Sequence, residues 1–204
     1  MDEIVKQAMA KWPDVPAVYG WLGLDRRGKW LIKGDRISNP MLAEFISRNY
    51  EHDASGRWFF QNGPQRVFVA LDYTPFIYRL AEDSDLNAPL RIETHTGRVV
   101  DRLNSAWIDE AGIFLLATEH GVGMFDDRDL GRLLPCFTDK SGVPLTEDAV
   151  AEAIERLQSG GVDDLHFRYR DQTLPVLPIA AHDISGQFGF VQRPEQPVGK
   201  EQCT

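Results

Sequence analysis

Leu24-Asp25-Arg26-Arg27-Gly28-Lys29-Trp30-Leu31-Ile32 and Ile108-Asp109-Glu110-Ala111-Gly112-Ile113-Phe114-Leu115-Leu116 read as two copies of one local instruction. In each, an apolar residue precedes Asp-x-x-Gly, and an aromatic residue stands two places after the glycine. Asp accepts backbone hydrogen bonds at the start of a type I turn, and Gly supplies the positive φ that closes it. With apolar runs on both sides, this chemistry makes a β-hairpin. The pattern recurs at Asp53–Gly56–Trp58 and Asp183–Gly186–Phe188, and Asp139–Gly142 has the turn without the aromatic. Chance would give about one or two such segments in a chain of this length, so a repeated unit is the better explanation.

The spacing extends the repeat. Asp25 and Asp53 lie 28 residues apart, and Asp109 and Asp139 lie 30 apart, each pair with a predicted helix between its members. Asn39-Pro40 starts the first of these helices, since Asn caps well and Pro suits the first helical turn. Asp126 to Leu134 reads as the second, ended by Pro135. Thr146 caps a further helix to Gln158, with Val150, Ile154 and Leu157 as its apolar stripe, and Gly160-Gly161 ends it. That helix is an insertion in the second copy. Residues 2–11 form a short amphipathic helix stopped by Pro13. Hairpins are expected at Asp25–Gly28, Asp53–Gly56, Thr94–Gly97, Asp109–Gly112 and Asp183–Gly186.

The fold class is therefore α+β, with two similar lobes of antiparallel β-hairpins, each carrying short packing helices. The expected boundaries are 1–85 for the N-terminal helix and first lobe, and 86–194 for the second lobe with the inserted helix 146–158. Residues 195–204 make a flexible tail. The acidic, irregular stretch Asp83–Pro89 marks the join.

Composition limits the function classes. The chain has 204 residues, 43% hydrophobic and 26% charged, enough to bury a core. A net charge of -9 disfavours nucleic-acid backbones and anionic membranes as partners. Two cysteines, Cys136 and Cys203, make no disulfide framework and no CxxC motif. The acidic start Met1-Asp2-Glu3 lacks the basic region of a signal peptide, and no apolar run reaches a membrane span. A cytoplasmic location is expected.

One larger pattern is shared with known proteins. Tyr19-Gly20, Asp25-x-x-Gly28-x-Trp30, Gly34-x-x-Ile37 and Pro40-x-Leu42-x-x-x-Phe45 lead into Pro64, Val67-x-Val69 and Asp72-x-x-Pro75-Phe76. Over residues 17–100 this resembles a bacterial family of unknown function. The resemblance implies a chain of about 200 residues with a two-lobed α+β fold and repeated β-rich motifs. It also implies a part in signal transduction. It brings no catalytic residues. Tyr73-Thr74 departs from the Asp-Ala-Pro-Phe expected there.

No motif carries a reaction. A Gly-x-Ser-x-Gly elbow is missing, Gly121-Val122-Gly123 is no phosphate loop, and no His-x-x-x-His pair exists. The strongest metal candidate is His95 with Glu119 and His120, on the strand-end segments Glu93-Thr94-His95 and Thr118-Glu119-His120; the plainer reading is exposed polar strand ends. The tryptophans cluster on hairpins and serve first as core. Trp21 and Trp107, with Tyr73, Asp72 and His95, are the candidate lining of a ligand groove between the lobes. The function expected is a non-catalytic binding or regulatory module, without a cofactor, that takes a small molecule or a protein partner; a homodimer is one such assembly. The alternative is a metal-assisted hydrolase using the His/Glu cluster.

Overall fold

Four of the five Asp-x-x-Gly segments close in one way. At Asp25, Asp53, Asp109 and Asp139 the carboxylate Oδ1 accepts the backbone N–H groups two and four residues on, at 2.7–3.0 Å. The glycine N–H returns to the aspartate carbonyl, and its φ lies between 69 and 81°. Thr94–Gly97 builds the same turn with a hydroxyl, Arg98 N–H donating to Thr94 Oγ1 at 3.1 Å. These turns come from a computed structural model that describes residues 1–12, 15–81, 90–161 and 164–197. The expected join Asp83–Pro89 and Cys203 lie outside the described residues.

The chain forms two compact units. The first comprises Met1–Pro75, His95–Gly97 and Gly189–Thr204, and the second Phe76–Thr94 and Arg98–Phe188. The first unit contains α1 (Glu3–Lys11), β1 (Val18–Leu24), β2 (Trp30–Ile32), β3 (Asp35–Arg36) and α2 (Pro40–Arg48). It continues with β4 (Tyr50–His52), β5 (Trp58–Asn62) and β6 (Gln65–Leu71). Asn39 caps α2 through Oδ1, accepting from Met41 and Leu42 N–H, with Pro40 at the first helical position.

The second unit holds β7 (Phe76–Leu80), β8 (Ile92–Thr94), β9 (Leu103–Asp109), β10 (Phe114–Thr118) and β11 (Gly121–Phe125). Then come α3 (Leu130–Leu133), β12 (Phe137–Thr138), α4 (Glu147–Gln158), β13 (His166–Tyr169), β14 (Gln172–Ile179) and α5 (Ile184–Gln187). Pro135 does not stop the chain's winding at α3, because a 3-10 turn carries it on through Leu134–Cys136. The N–H that proline lacks is one a first turn leaves unpaired anyway.

The strand orders display the repeat. The first sheet runs β3-β2-β1-β6-β5-β4. The second runs β11-β10-β9-β14-β13-β12, with β7 and β8 added beyond β11. In each, the first hairpin strand pairs in parallel with the last strand: β1 with β6, and β9 with β14. β7 and β11 are also parallel. Both sheets are thus mixed, where hairpins alone predict antiparallel ones. Parallel pairing joins the two ends of each copy, and turn chemistry does not encode it.

The cores correspond too. In the first unit Trp30 meets Tyr50 edge-on at 5.0 Å, and Tyr50 is the cross-strand partner of Phe60. In the second, Phe114 meets Phe137 at 5.3 Å and Phe167 at 5.0 Å, and Phe137 is the partner of Phe167. Such cross-strand aromatic pairs are the unit of sheet stabilisation.

One sequence expectation fails. Asp183–Gly186 is no hairpin but opens α5, with Gln187 and Phe188 N–H bonding to Asp183 and Ile184 carbonyls. Gly189 takes the left-handed φ, at 65°, just past the helix end. Before it, β14 is an eight-residue strand although it contains Pro175 and Pro178. Its first half, up to Pro175, registers with β13 and its second half, from Val176, with β9. Each proline therefore sits where the other side of the strand is open.

Among the described residues no helix is long and apolar enough to cross a membrane.

Candidate functional site: a cleft in the first unit

The β1–β6 pair is irregular. Val18 is level with Val67, but Leu22 is level with Val69, so β1 carries extra residues around Gly20, at φ 73°. A bulge of this kind re-aims side chains. Here Tyr19 lies flat against Phe68, with ring centroids 4.6 Å apart and planes 14° apart.

Cross-strand partners share a face. Phe59 is level with Phe68, and Gln61 with Arg66, so these four side chains lie on the face that Tyr19 joins. Arg57 belongs to the same alternation, and its guanidinium lies 4.8 Å from the Phe68 ring centre. Arg66 lies 4.8 Å from the Phe59 ring centre. Met9 and Trp12 at the end of α1, residues 15–17, Pro64, Gln196 and Pro197 close the sides. Together they bound a cleft of about 840 Å³, within the ordinary range for small-molecule sites.

The second unit has no equivalent irregularity in its parallel pair. β9 and β14 stay in register from Ala106 to Asp109, and α4 packs against both strands. The buried side of α4 is Val150, Ala153 and Leu157. Ala153 replaces the Ile154 expected from the apolar stripe.

Charge in the cleft is one-sided. Among the described residues its lining includes two arginines and no carboxylate. Arg57 is held by Asp53, whose Oδ2 accepts Nε at 2.8 Å and lies 2.6 Å from Nη2. Burial alone would raise the Asp53 carboxyl. Hydrogen bonds from the Arg57 side chain and from the Arg57 and Ser55 N–H groups outweigh it and hold the carboxyl below the usual range. Arg66 has no carboxylate partner among the described residues. Gln61 is 1% exposed; its Nε2 donates to the Gly63 carbonyl, and its buried Oε1 has no hydrogen-bond partner. Among the described residues the lining contains no Ser, Cys, His, Lys, Asp or Glu.

The residues picked from sequence lie elsewhere. Asp72 is exposed, and its N–H donates to the Leu24 carbonyl. Tyr73 is buried under the Arg26 guanidinium at 4.5 Å, and its carbonyl accepts Gln192 Nε2. Trp21 is exposed with Lys33 Nζ 3.8 Å above its ring. His95 is in a turn beyond the end of β8, and its ring lies 5.3 Å from Trp30 and 5.9 Å from Tyr50. In the second unit, Trp107 Nε1 donates to Ser105 Oγ and the ring meets Phe188 edge-on. The Glu119 carboxylate accepts the Asp101 and Arg102 N–H groups at 2.6 and 3.1 Å. His120 Nε2 lies 2.8 Å from the Val99 carbonyl. Among the described residues no three His, Cys, Asp or Glu side chains form a group that could hold a metal ion. None of the picked residues lines the cleft. A signal for the cleft was in the sequence: Arg57-x-Phe59-x-Gln61 and Arg66-x-Phe68 alternate basic or amide groups with aromatics at strand period.

A family model, DUF2944, described as "Protein of unknown function (DUF2946)", matches residues 1–195. The chain belongs to the DUF2944 family. Among solved structures, this DUF2944 chain is similar to a DUF1285 family protein from Silicibacter pomeroyi DSS-3, at 15% identity and a TM-score of 0.49, over 87% of this chain and 96% of that one. It is also similar to a DUF1285 family protein from Shewanella baltica OS155, at 14% identity and a TM-score of 0.42, over 55% and 89% of the two chains. No curated protein matches the chain.

Proposed function

We propose that the chain is a non-catalytic binding module of regulatory type, and that its ligand is a small molecule seated in the cleft of the first unit. The observation that carries this reading is the cleft itself: about 840 Å³, floored by the Tyr19–Phe68 stack and edged by Arg57 and Arg66. Aromatic walls with a few convergent polar groups are the ordinary make-up of a ligand site. Among the described residues the lining offers arginine, amide and aromatic groups, which suit binding. The net charge of -9 supports solubility; a cytoplasmic location and a signalling role are part of the same proposal.

A thermal-shift screen tests the proposal, with divalent metals, nucleotides, amino acids and fatty acids, each with and without chelator. A ligand of the folded state raises the melting temperature by mass action. The expected result is a shift with one organic class that Tyr19→Ala abolishes. An organic shift that Tyr19→Ala leaves intact would place the ligand outside the cleft. A zinc shift reversed by chelator would favour metal-assisted hydrolysis.

A further inference from the structure

The cleft differs in sign from the rest of the chain. The protein carries a formal charge of -9, yet among the described residues the charged ones lining the cleft are Arg57 and Arg66. These two are not equivalent. Arg57 is committed to Asp53 through both Nε and Nη2. Arg66 has no carboxylate among the described residues, so its charge is the one open to a ligand.

Arg66 is also oriented. Its guanidinium lies over the Phe59 ring, and Phe59 is 3% exposed and fixed in β5. A guanidinium held in this way presents a planar fork of N–H donors, which matches the oxygens of a carboxylate, sulfonate or phosphate better than a point charge does. Beside it, the Tyr19 ring and the side chains of Met9, Trp12 and Pro64 offer an apolar surface.

We infer that the cleft recognises a singly charged organic anion: an acidic group paired with Arg66 and a flat apolar body against Tyr19. This rests on the cleft being the ligand site. Among the described residues one unpaired guanidinium lines the cleft, which disfavours nucleoside triphosphates and other polyanions.

A pair of fluorescent probes tests the inference. 8-Anilinonaphthalene-1-sulfonate has an acid group on a flat apolar body with an N–H donor. N-phenyl-1-naphthylamine is its neutral counterpart. With the full chain at low salt, the sulfonate is expected to bind at one site about tenfold more tightly than the neutral probe, the size of one charge-assisted hydrogen-bonded contact. Arg66→Gln should bring the two affinities together by weakening the sulfonate alone. Arg36→Gln, the same charge change at an exposed residue of β3, should alter neither. Equal affinities in the wild type, or equal effects of the two substitutions, would overturn the inference while leaving the cleft a ligand site. Affinities for both probes that ignore Tyr19→Ala would remove the cleft reading itself, and the inference with it. Unfolding curves for each variant show that it is folded, since partly folded chains also bind the sulfonate probe.

Discussion

The two sheets have the same strand order and the same kind of parallel pair at their centre, but they treat that pair differently. In the first unit, β1 bulges against β6, and the face with Tyr19, Phe68 and Arg57 borders a cleft. In the second, β9 and β14 run in even register beneath an inserted helix, α4. One copy of the motif borders an open cleft and the other is covered by a helix. The framework of turns and paired aromatics is common to both. Function is free to differ where the repeat is broken, at the bulge in one copy and the insertion in the other.

The turns give the sharpest way to break the comparison. Gly56 and Gly142 hold the same place in corresponding turns, at φ of 74 and 81°. A Cβ on Gly142 would meet nothing within 4 Å, so Gly142→Ala should cost only backbone strain, about 1–2 kcal/mol. A Cβ on Gly56 would lie 2.0 Å from the Gly189 carbonyl oxygen, and backbone would have to move. That movement would disturb the Val191 N–H bond to the Gly56 carbonyl and the Arg57–Val191 bridge. Gly56→Ala is expected to cost more than about 3 kcal/mol, among the largest single-residue effects. Urea midpoints of the two variants measure the difference, and equal losses would mean that the turns are interchangeable.

Next in size is the inserted helix. Leu157 of α4 is 2% exposed, whereas Leu42 of α2 is 36% exposed. Leu157→Ala should cost about 2–5 kcal/mol by leaving a cavity. Leu42→Ala should cost less, about 1–2 kcal/mol, since over a third of its surface already lies in water and the space left is open to solvent. The same unfolding measurement decides it.

The smallest expected effect is electrostatic. The Asp53 carboxyl is held low in the folded protein, so its stabilisation is present above the unfolded aspartate pKa of about 3.9 and is lost as pH falls through the folded value. Asp53→Asn keeps an acceptor for the turn but loses the ion pair with Arg57. Its stability should fall less steeply than the wild type's on the acid side of about pH 4. Asp139→Asn, in a turn whose carboxylate accepts only the Ser141 and Val143 N–H groups, is the reference. Melting temperatures across the acid range test this, and parallel curves for wild type and Asp53→Asn would contradict it.

Local chemistry was legible in the sequence, and long-range pairing was not. Asp25, Asp53, Asp109 and Asp139 announce their turns because all the hydrogen bonds involved are made within five residues. Asn39 and Thr146 announce their helices for the same reason. The α4 insertion showed as an extra amphipathic stretch between Asp139 and the next strand. Asp183 misled because its Gly186 matched the motif while Ile184, 1% exposed, opens a short helix that ends before Gly189. The pairing of β14 was not legible, because its two prolines lie on alternately open sides only once β13 and β9 are in place. The cleft was missed because attention fell on tryptophans. Trp30 and Trp58 are core, and the cleft is built from Arg57, Gln61, Arg66 and Phe68, whose meeting with Tyr19 depends on a bulge across the β1–β6 pair.

On this proposal the broken copy, not the packed one, receives the ligand. The most direct test is a backbone and arginine side-chain NMR titration of the full chain with 8-anilinonaphthalene-1-sulfonate. The predicted result is a saturable shift of Tyr19, Gln61, Arg66 and Phe68 signals, with those of β9, β14 and α4 unmoved. Saturable shifts centred on β9, β14 and α4, with the Tyr19 and Arg66 signals unchanged, would contradict it.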